Sequence, residues 1–183
     1  MTLFINACVK KESRTLRLAR CLLSRLDGKY EEVKLHEIDF PVANQDFLNH
    51  RDNLIAAGDF GDPMFDLARQ FAAADEIIIA APYWDLSFPA SLKQYIEQIN
   101  VLGITFSYSP EGTPLGLCRA KRLTYVMTAG GTFVPEEFGY GYVKALAQSF
   151  YGIPEVRLIK ATGLDIYGAD VGTIMREAEE TMG

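Results

Sequence analysis

Apolar positions along the chain form two kinds of pattern, short continuous runs and runs with helical spacing. TLFINAC, residues 2–8, is followed by SRTLRLARCLLSRL, residues 13–26, whose apolar residues fall on one helical face. The run EIIIAA, residues 76–81, is apolar on both of its faces, which indicates a central parallel strand covered by helices on each side. The pattern therefore predicts a strand and helix alternation.

The remaining segments continue this alternation. EEVKLHEI, residues 31–38, alternates apolar and polar positions, as a strand nearer the sheet edge does. Further strands are predicted at 122–128 and 155–161, and further helices at 62–74, 89–102, 139–151 and from about Asp170 onward. Five strands separated by helices or crossover segments predict an α/β protein with a mainly parallel sheet. The length of 183 residues suits one domain, residues 1–183.

Residues 39–61 break the alternation. They include FPVANQDFLN and GDFGD, and the stretch is too long for a simple connection. We therefore predict an irregular segment that carries part of a binding surface or of a subunit contact.

Composition narrows the classes of function. A formal net charge of -6, with scattered Lys and Arg, argues against a nucleic-acid partner. No apolar stretch approaches the length of a membrane span, and no basic region precedes the first apolar segment, so we expect a soluble protein that is not exported. Cys8, Cys21 and Cys118 are widely spaced and odd in number, which favours free thiols in the cytoplasm. With two histidines in the chain, no metal site is expected.

Ligands of open parallel sheets bind beyond the carboxyl ends of the strands, so the loops after the first, third and fourth strands are the candidates. In the first of these loops, Ser13 and Thr15 offer hydroxyls and Arg14 a charge at the start of a helix, where unpaired N–H groups suit a terminal phosphate. The alternative is that Ser13 only caps the helix. No G-x-G-x-x-G motif is present, so a dinucleotide diphosphate crossing this turn is not indicated.

Aromatic residues and glycines mark the other two loops. Tyr83 and Trp84 follow the central strand, where they either stack on a planar ligand or plug the end of the core. Gly130 and Gly131 follow Thr128 and either admit a ligand close to the backbone or simply turn the chain. A phosphate site, backbone N–H groups and a close approach in one crevice together fit flavin mononucleotide (FMN) best.

These residues resemble a known family. Ser13-Arg14-Thr15, PYWDLSFPASLKQYIE, GITFSY and Thr128-Ala-Gly-Gly are similar to the flavodoxin-like NAD(P)H-dependent oxidoreductases that include quinone reductases and FMN-dependent azoreductases. The resemblance implies a doubly wound five-stranded sheet of strand order 2-1-3-4-5 with helices on both faces. It also implies FMN rather than FAD as the cofactor, NAD(P)H as cosubstrate and a homodimer.

The resemblance assigns roles to residues as well. It implies that Ser13, Arg14 and Thr15 bind the flavin phosphate. The loop after the third strand would border the isoalloxazine ring, and its residues are Pro82, Tyr83, Trp84, Asp85 and Leu86. Thr128, Gly130 and Gly131 would contact the pyrimidine side of the ring or the ribityl chain.

Two departures from the family pattern affect these roles. Asp85 stands where azoreductases have Asn, and because an acidic group there would disfavour the anionic reduced flavin, we expect its side chain to point away. The histidine of the animal quinone reductases has no counterpart, since no His lies beyond position 50. Tyr140 is the one candidate for a catalytic side chain.

The resemblance implies a hydride transfer from NAD(P)H through the flavin to a quinone, an azo compound or a similar electron-poor small molecule. One alternative is a flavodoxin-type carrier that passes electrons to a protein partner. Another is a module that binds a different ligand in the same crevice without redox chemistry.

Overall fold

The structure is a computed structural model that describes residues 1–26 and 28–182. The strands are β1 (Thr2–Asn6), β2 (Tyr30–Lys34), β3 (Glu76–Ala80), β4 (Phe106–Tyr108), β5 (Pro114–Gly116), β6 (Arg122–Thr128) and β7 (Glu155–Ala161). The α-helices are α1 (Arg14–Leu23), α2 (Gln45–Ala57), α3 (Asp66–Ala73), α4 (Ala90–Ile99), α5 (Tyr140–Ser149) and α6 (Val171–Glu180). Two 3₁₀ turns, Leu35–Glu37 and Pro63–Phe65, complete the elements.

The central sheet has five parallel strands in the order β2-β1-β3-β6-β7. Counted among the strands of this sheet, the order is 2-1-3-4-5, so the predicted doubly wound architecture is confirmed. β4 and β5 form a separate antiparallel hairpin between α4 and β6. No helix in residues 1–26 and 28–182 combines the length and the apolar character that crossing a membrane requires.

The two faces of the sheet are covered by different helices. Alternation along the strands sends Ile77 and Ile79 to the face covered by α3, α4 and α5, and Ile78 to the face covered by α1 and α6. All three isoleucines are at most 3% exposed. The prediction that the EIIIAA run is a central strand is confirmed, because burial on both faces is what its continuous apolar pattern requires.

The prediction of an irregular segment at 39–61 is wrong, because α2 occupies its middle. The carboxamide of Asn44 accepts a hydrogen bond from the N–H of Phe47 at 2.9 Å, and the helix ends at Gly58, whose φ is 70°. α2 has no fully buried residue, so its sequence lacks the apolar stripe by which helices are usually predicted. The capping residues at its two ends, Asn44 and Gly58, were the sequence signal from which this helix could have been predicted.

The strand predicted at 31–38 is also shorter than expected. β2 ends at Lys34, and Leu35 begins a 3₁₀ turn in which its side chain is buried. A buried residue in a turn continues the alternation that had suggested a longer strand.

Candidate functional site

A cleft of about 240 Å³ lies at the carboxyl edge of the sheet. It opens where β1 and β3 diverge into α1 and α4, which is the point where strand order reverses and where ligands of doubly wound proteins bind. The residues that line it are Val9, Lys10, Glu12, Ser13, Arg14, Pro82, Tyr83, Trp84, Thr128, Gly130 and Asp165. The three predicted loops therefore meet at one cleft.

Ser13 caps α1. Its hydroxyl oxygen accepts the N–H of Leu16 at 3.2 Å, as the capping alternative proposed. The N–H groups of Arg14 and Thr15 lie in the first helical turn, where no intrahelical acceptor exists. Capping uses the oxygen of Ser13 as an acceptor and leaves its proton free, so the cap is compatible with an anion bound at this helix end.

The Arg14 side chain reaches across the cleft to the loop after β7. Its guanidinium donates to the carbonyl of Leu164 at 3.0 Å and to a carboxylate oxygen of Asp165 at 2.7 Å. Sequence reasoning missed Asp165, because only the loops after the first, third and fourth strands were considered. The signal was available, since the loop after the fifth strand leaves the same edge of the sheet.

Thr15 and Thr128 join α1 to the end of β6. Their hydroxyl oxygens are 2.7 Å apart in a buried hydrogen bond, and the two residues are 1% and 8% exposed. Thr128 lines the cleft, whereas Thr15 lies behind its wall. The pair fixes the position of the helix start relative to the sheet.

Residues 84–87 form a tight turn beside the cleft. Trp84 and Ser87 exchange two backbone hydrogen bonds of 3.1 and 2.7 Å, and the central residues Asp85 and Leu86 have φ values of 50° and 66°. Side-chain-bearing residues rarely adopt positive φ, and such strain concentrates at functional sites. The turn does not use the N–H groups of its two central residues, which are left for other acceptors.

The turn is held by contacts on both sides. The N–H of Tyr83 donates to the carbonyl of Thr128 at 3.0 Å, and its hydroxyl donates to the carbonyl of Pro135 at 3.1 Å. Ser87 donates its hydroxyl to the carbonyl of Phe138 at 2.8 Å. Desolvation, and secondly the carboxylate of Glu137, raise the pKa of Tyr83, so its hydroxyl remains a donor.

The side chains of residues 82–86 differ in whether they line the cleft. Pro82, Tyr83 and Trp84 line it, while Asp85 and Leu86 are exposed and are not among its lining residues. Trp84 is 40% exposed, so the alternative that it plugs the end of the core does not describe it.

Gly130 packs tightly against Asp165. A β-carbon at position 130 would lie 2.2 Å from a carboxylate oxygen of Asp165, whereas one at Gly131 would meet nothing within 4 Å. The carbonyls of both glycines accept N–H groups from the loop after β7, that of Gly130 from Asp165 and that of Gly131 from Gly163, each at 2.9 Å. The absence of a side chain at position 130 therefore lets the Asp165 carboxylate pack against the backbone at this side of the cleft.

Tyr140 is not brought together with the other predicted residues. Its hydroxyl donates to the carbonyl of Val156 at 3.1 Å, and its ring lies 6.2 Å from that of Tyr125. It is absent from the lining of the cleft. Desolvation and the nearby Glu136 raise the pKa of Tyr140.

The residues present fit FMN. The start of α1 provides N–H groups and the Ser13 hydroxyl for a phosphate, Trp84 provides a flat face, and the strained turn provides free N–H donors. The carboxylate of Asp165 would oppose a phosphate if unpaired, but its ion pair with Arg14 offsets that charge.

Comparison with known proteins identifies the family to which the chain belongs. A profile of the family described as having a flavodoxin-like fold matches residues 1–183, and the chain belongs to this family. The chain is 36% identical over 191 residues to an FMN-dependent NADH:quinone oxidoreductase of Lachnoclostridium phytofermentans, covering 99% of this chain and 95% of the relative. A protein of the same name from Clostridium perfringens strain SM101 is 35% identical over 187 residues, covering 97% and 93%.

Solved structures agree on the fold. An azoreductase from Bacillus anthracis strain Sterne superimposes with a TM-score of 0.86 at 22% identity, covering 99% of this chain and 95% of that one. An FMN-dependent NADH-azoreductase from Bacillus anthracis strain Ames Ancestor, solved in complex with FMN, gives 0.80 at 22% identity, covering 99% and 96%. At 22% identity these two similarities show the fold alone. The family profile and the two oxidoreductase relatives confirm the family resemblance noted in the sequence.

Proposed function

We propose that the protein is an FMN-dependent NADH oxidoreductase whose electron acceptor is a quinone, or an azo compound or similar electron-poor small molecule. The observation that carries the proposal is the strained turn at Asp85 and Leu86, which lies at the same carboxyl edge of the sheet as the start of α1. The names of the relatives supply NADH and the quinone. They also favour this function over that of a flavodoxin-type electron carrier.

The chain contributes binding and orientation. Bound flavin would supply the redox chemistry, which is the transfer of two electrons from NADH to the acceptor. Ser13, with the N–H groups of Arg14 and Thr15, would hold the phosphate. An N–H of Asp85 or Leu86 would donate to the ring, because neither is used within the turn.

The other side of the ring would lie against the loop after β6. Thr128, Gly130 and Gly131 would contact the pyrimidine edge or the ribityl chain, since the N–H groups of both glycines follow the point where β6 ends. Tyr140 was our sequence candidate for catalysis. Its hydroxyl is engaged by the Val156 carbonyl, so we do not assign it a proton-transfer step.

We further propose a single domain spanning 1–183, a cytoplasmic location and a homodimer. All three cysteines are free thiols, which is typical of a reducing compartment. The cleft of about 240 Å³ is smaller than the roughly 300 Å³ at which small-molecule sites begin, so a second chain covering it would enlarge it. Around it lie exposed apolar side chains suited to such a contact, among them Leu86, Phe133 and Phe138. No nucleic-acid partner is proposed, in keeping with the acidic composition.

The test is the visible spectrum of the purified protein, supplied with FMN and kept anaerobic, before and after NADH addition. We expect the flavin absorbance to bleach without any helper protein and to return when a quinone is added. A carrier would bind FMN but would bleach only with a separate reductase. Protein that takes up no FMN would overturn the proposal.

A further inference from the structure

A second cavity, of about 310 Å³, lies beside the cleft at the carboxyl ends of β1 and β2. Its floor contains Asn6 and Cys8, each 2% exposed, and Leu16 forms an apolar wall. The loop of Val9 and Lys10 separates it from the cleft, and both residues line both cavities. A ligand anchored in one can therefore extend into the other.

The lining of this cavity is positively charged. Four cations, Lys10, Lys11, Arg20 and Lys34, face two carboxylates, so the formal charge is +4 − 2 = +2 with His36 neutral. The whole chain carries -6. A concave positive region on an acidic protein concentrates anions, because the field is focused where low-dielectric walls surround it.

Both carboxylates of the cavity already have partners. Glu32 accepts a hydrogen bond from the carboxamide of Asn6 at 2.8 Å, and Glu37 pairs with Lys34 at 3.0 Å. Within residues 1–26 and 28–182, no carboxylate lies within ion-pair distance of Lys10, Lys11 or Arg20. Three cations are thus available for a ligand that carries more than one negative charge.

We propose that this second cavity binds the diphosphate group of a nucleotide. Two adjacent phosphates carry the multiple negative charge that the three available cations can pair with, and Leu16 with Val9 gives an apolar wall for a base or ribose. The assignment of this ligand to NADH rests on the proposed function. During turnover the diphosphate of NADH occupies this cavity, and its nicotinamide enters the cleft past Val9 and Lys10. A free nucleotide such as ADP carries the same diphosphate group, and the experiment distinguishes ADP from NADH as the ligand.

The variant for the test is Lys11→Gln with Arg20→Gln, which removes two of the three available cations of the cavity and none of the cleft. The control is Arg17→Gln with Lys93→Gln, which removes the same charge from ion-paired positions outside both cavities. ADP binding is measured by titration calorimetry on FMN-supplemented protein. Steady-state kinetics compares NADH with reduced nicotinamide mononucleotide, which lacks the diphosphate and the adenosine.

In the test variant we expect the Kd for ADP and the KM for NADH each to rise about tenfold or more, the loss expected for charge-assisted contacts. The KM for reduced nicotinamide mononucleotide and kcat should stay unchanged, and the control should match the parent. Equal ADP binding in parent, test and control, or none in the parent, overturns the proposal. Weaker ADP binding with an unchanged KM for NADH supports the diphosphate site and overturns its assignment to NADH.

The two proposals fail separately in this design. A parent protein that does not oxidise NADH contradicts the proposed function. The ADP titration still decides whether the second cavity is a diphosphate site, because it does not depend on turnover.

Discussion

The two edges of the sheet are built differently. At the amino edge charges are paired: Asp75 is bound by the amino terminus and by Arg119 at 2.8 Å, and Arg122 lies 3.0 Å from Glu155. At the carboxyl edge the backbone is strained at Asp85 and Leu86, and N–H donors are left free. The amino edge pairs these charges within the chain, while the carboxyl edge, beside its internal pairs, keeps several N–H donors for a ligand. Substitutions at the first should cost stability, and those at the second should cost binding.

The largest effect is expected on the amino side. A β-carbon at Gly116 would lie 2.1 Å from the backbone N of Gly152 and 2.2 Å from the carbonyl carbon of Tyr151, just before β7. Because backbone must move to relieve this clash, Gly116→Ala should lower the free energy of unfolding by about 3 kcal/mol. Urea denaturation measures it. Gly61→Ala, whose β-carbon would meet only Asp59 at 3.7 Å, is the control and should change little.

The buried hydroxyl pair tests whether the carboxyl edge also contains a structural bond. Thr15→Val or Thr128→Val alone should lower the free energy of unfolding by about 1 to 3 kcal/mol, because each leaves one buried hydroxyl without its partner. The double variant should lose less than the sum of the two. Strictly additive losses in urea denaturation would contradict a coupling between the residues.

Trp84→Ala should separate binding from stability. Loss of a stacking face worth roughly 1 kcal/mol should raise the Kd for FMN by about fivefold to tenfold. The side chain is 40% exposed, so the free energy of unfolding without FMN should fall by less than about 1 kcal/mol. Fluorescence titration with FMN and urea denaturation give the two values. Trp84→Phe keeps an aromatic face and should bind FMN nearly as well as the parent, and unchanged FMN affinity in Trp84→Ala would count against the proposed site.

Leu86→Gly should relieve strain while keeping the backbone N–H. Glycine adopts positive φ without penalty but gives a more flexible unfolded chain, so a net gain of about 0.5 to 1 kcal/mol is expected. This corresponds to a rise in Tm of roughly 1 to 4 °C, measured by calorimetry. Leu117→Gly, also an exposed leucine but without positive φ, should not stabilise the protein. A lower Tm for Leu86→Gly would show that the leucine side chain is needed there.

The smallest effect concerns acid stability at the amino edge. Hydrogen bonds from Arg122, and then from Arg157, lower the pKa of Glu155 below its ordinary value of 4.5. A lowered folded-state pKa gives stability that is present above pH 4.5 and is lost as pH falls through the folded-state value. Glu155→Gln should therefore reduce the slope of unfolding free energy against pH below 4.5. Glu177→Gln is the control, and an equal slope in all three proteins would contradict the assignment.

Particular elements show how far sequence reasoning reached. β3, β6 and β7 were predicted within one residue of their bounds, because continuous apolar runs mark them. The helix predicted at 89–102 is α4, which begins one residue later and ends three residues earlier than predicted. α2 was missed because it buries no residue fully and is recognised only by its caps. The predicted loops did meet at one cleft, since parallel strands bring their carboxyl ends to the same edge.

The sequence by itself determined the alternation of strands and helices and the segments that border the cleft, because hydrophobic periodicity and local motifs are properties of neighbouring residues. The strand order followed from the family resemblance that those motifs carry. Only the tertiary structure decided which distant groups pair: Arg14 with Asp165, and Thr15 with Thr128. It also decided that Asp85 and Leu86 carry positive φ and that four cations line a second cavity. These features depend on contacts between segments separated by up to about 150 residues, and a local pattern carries no information on such distances.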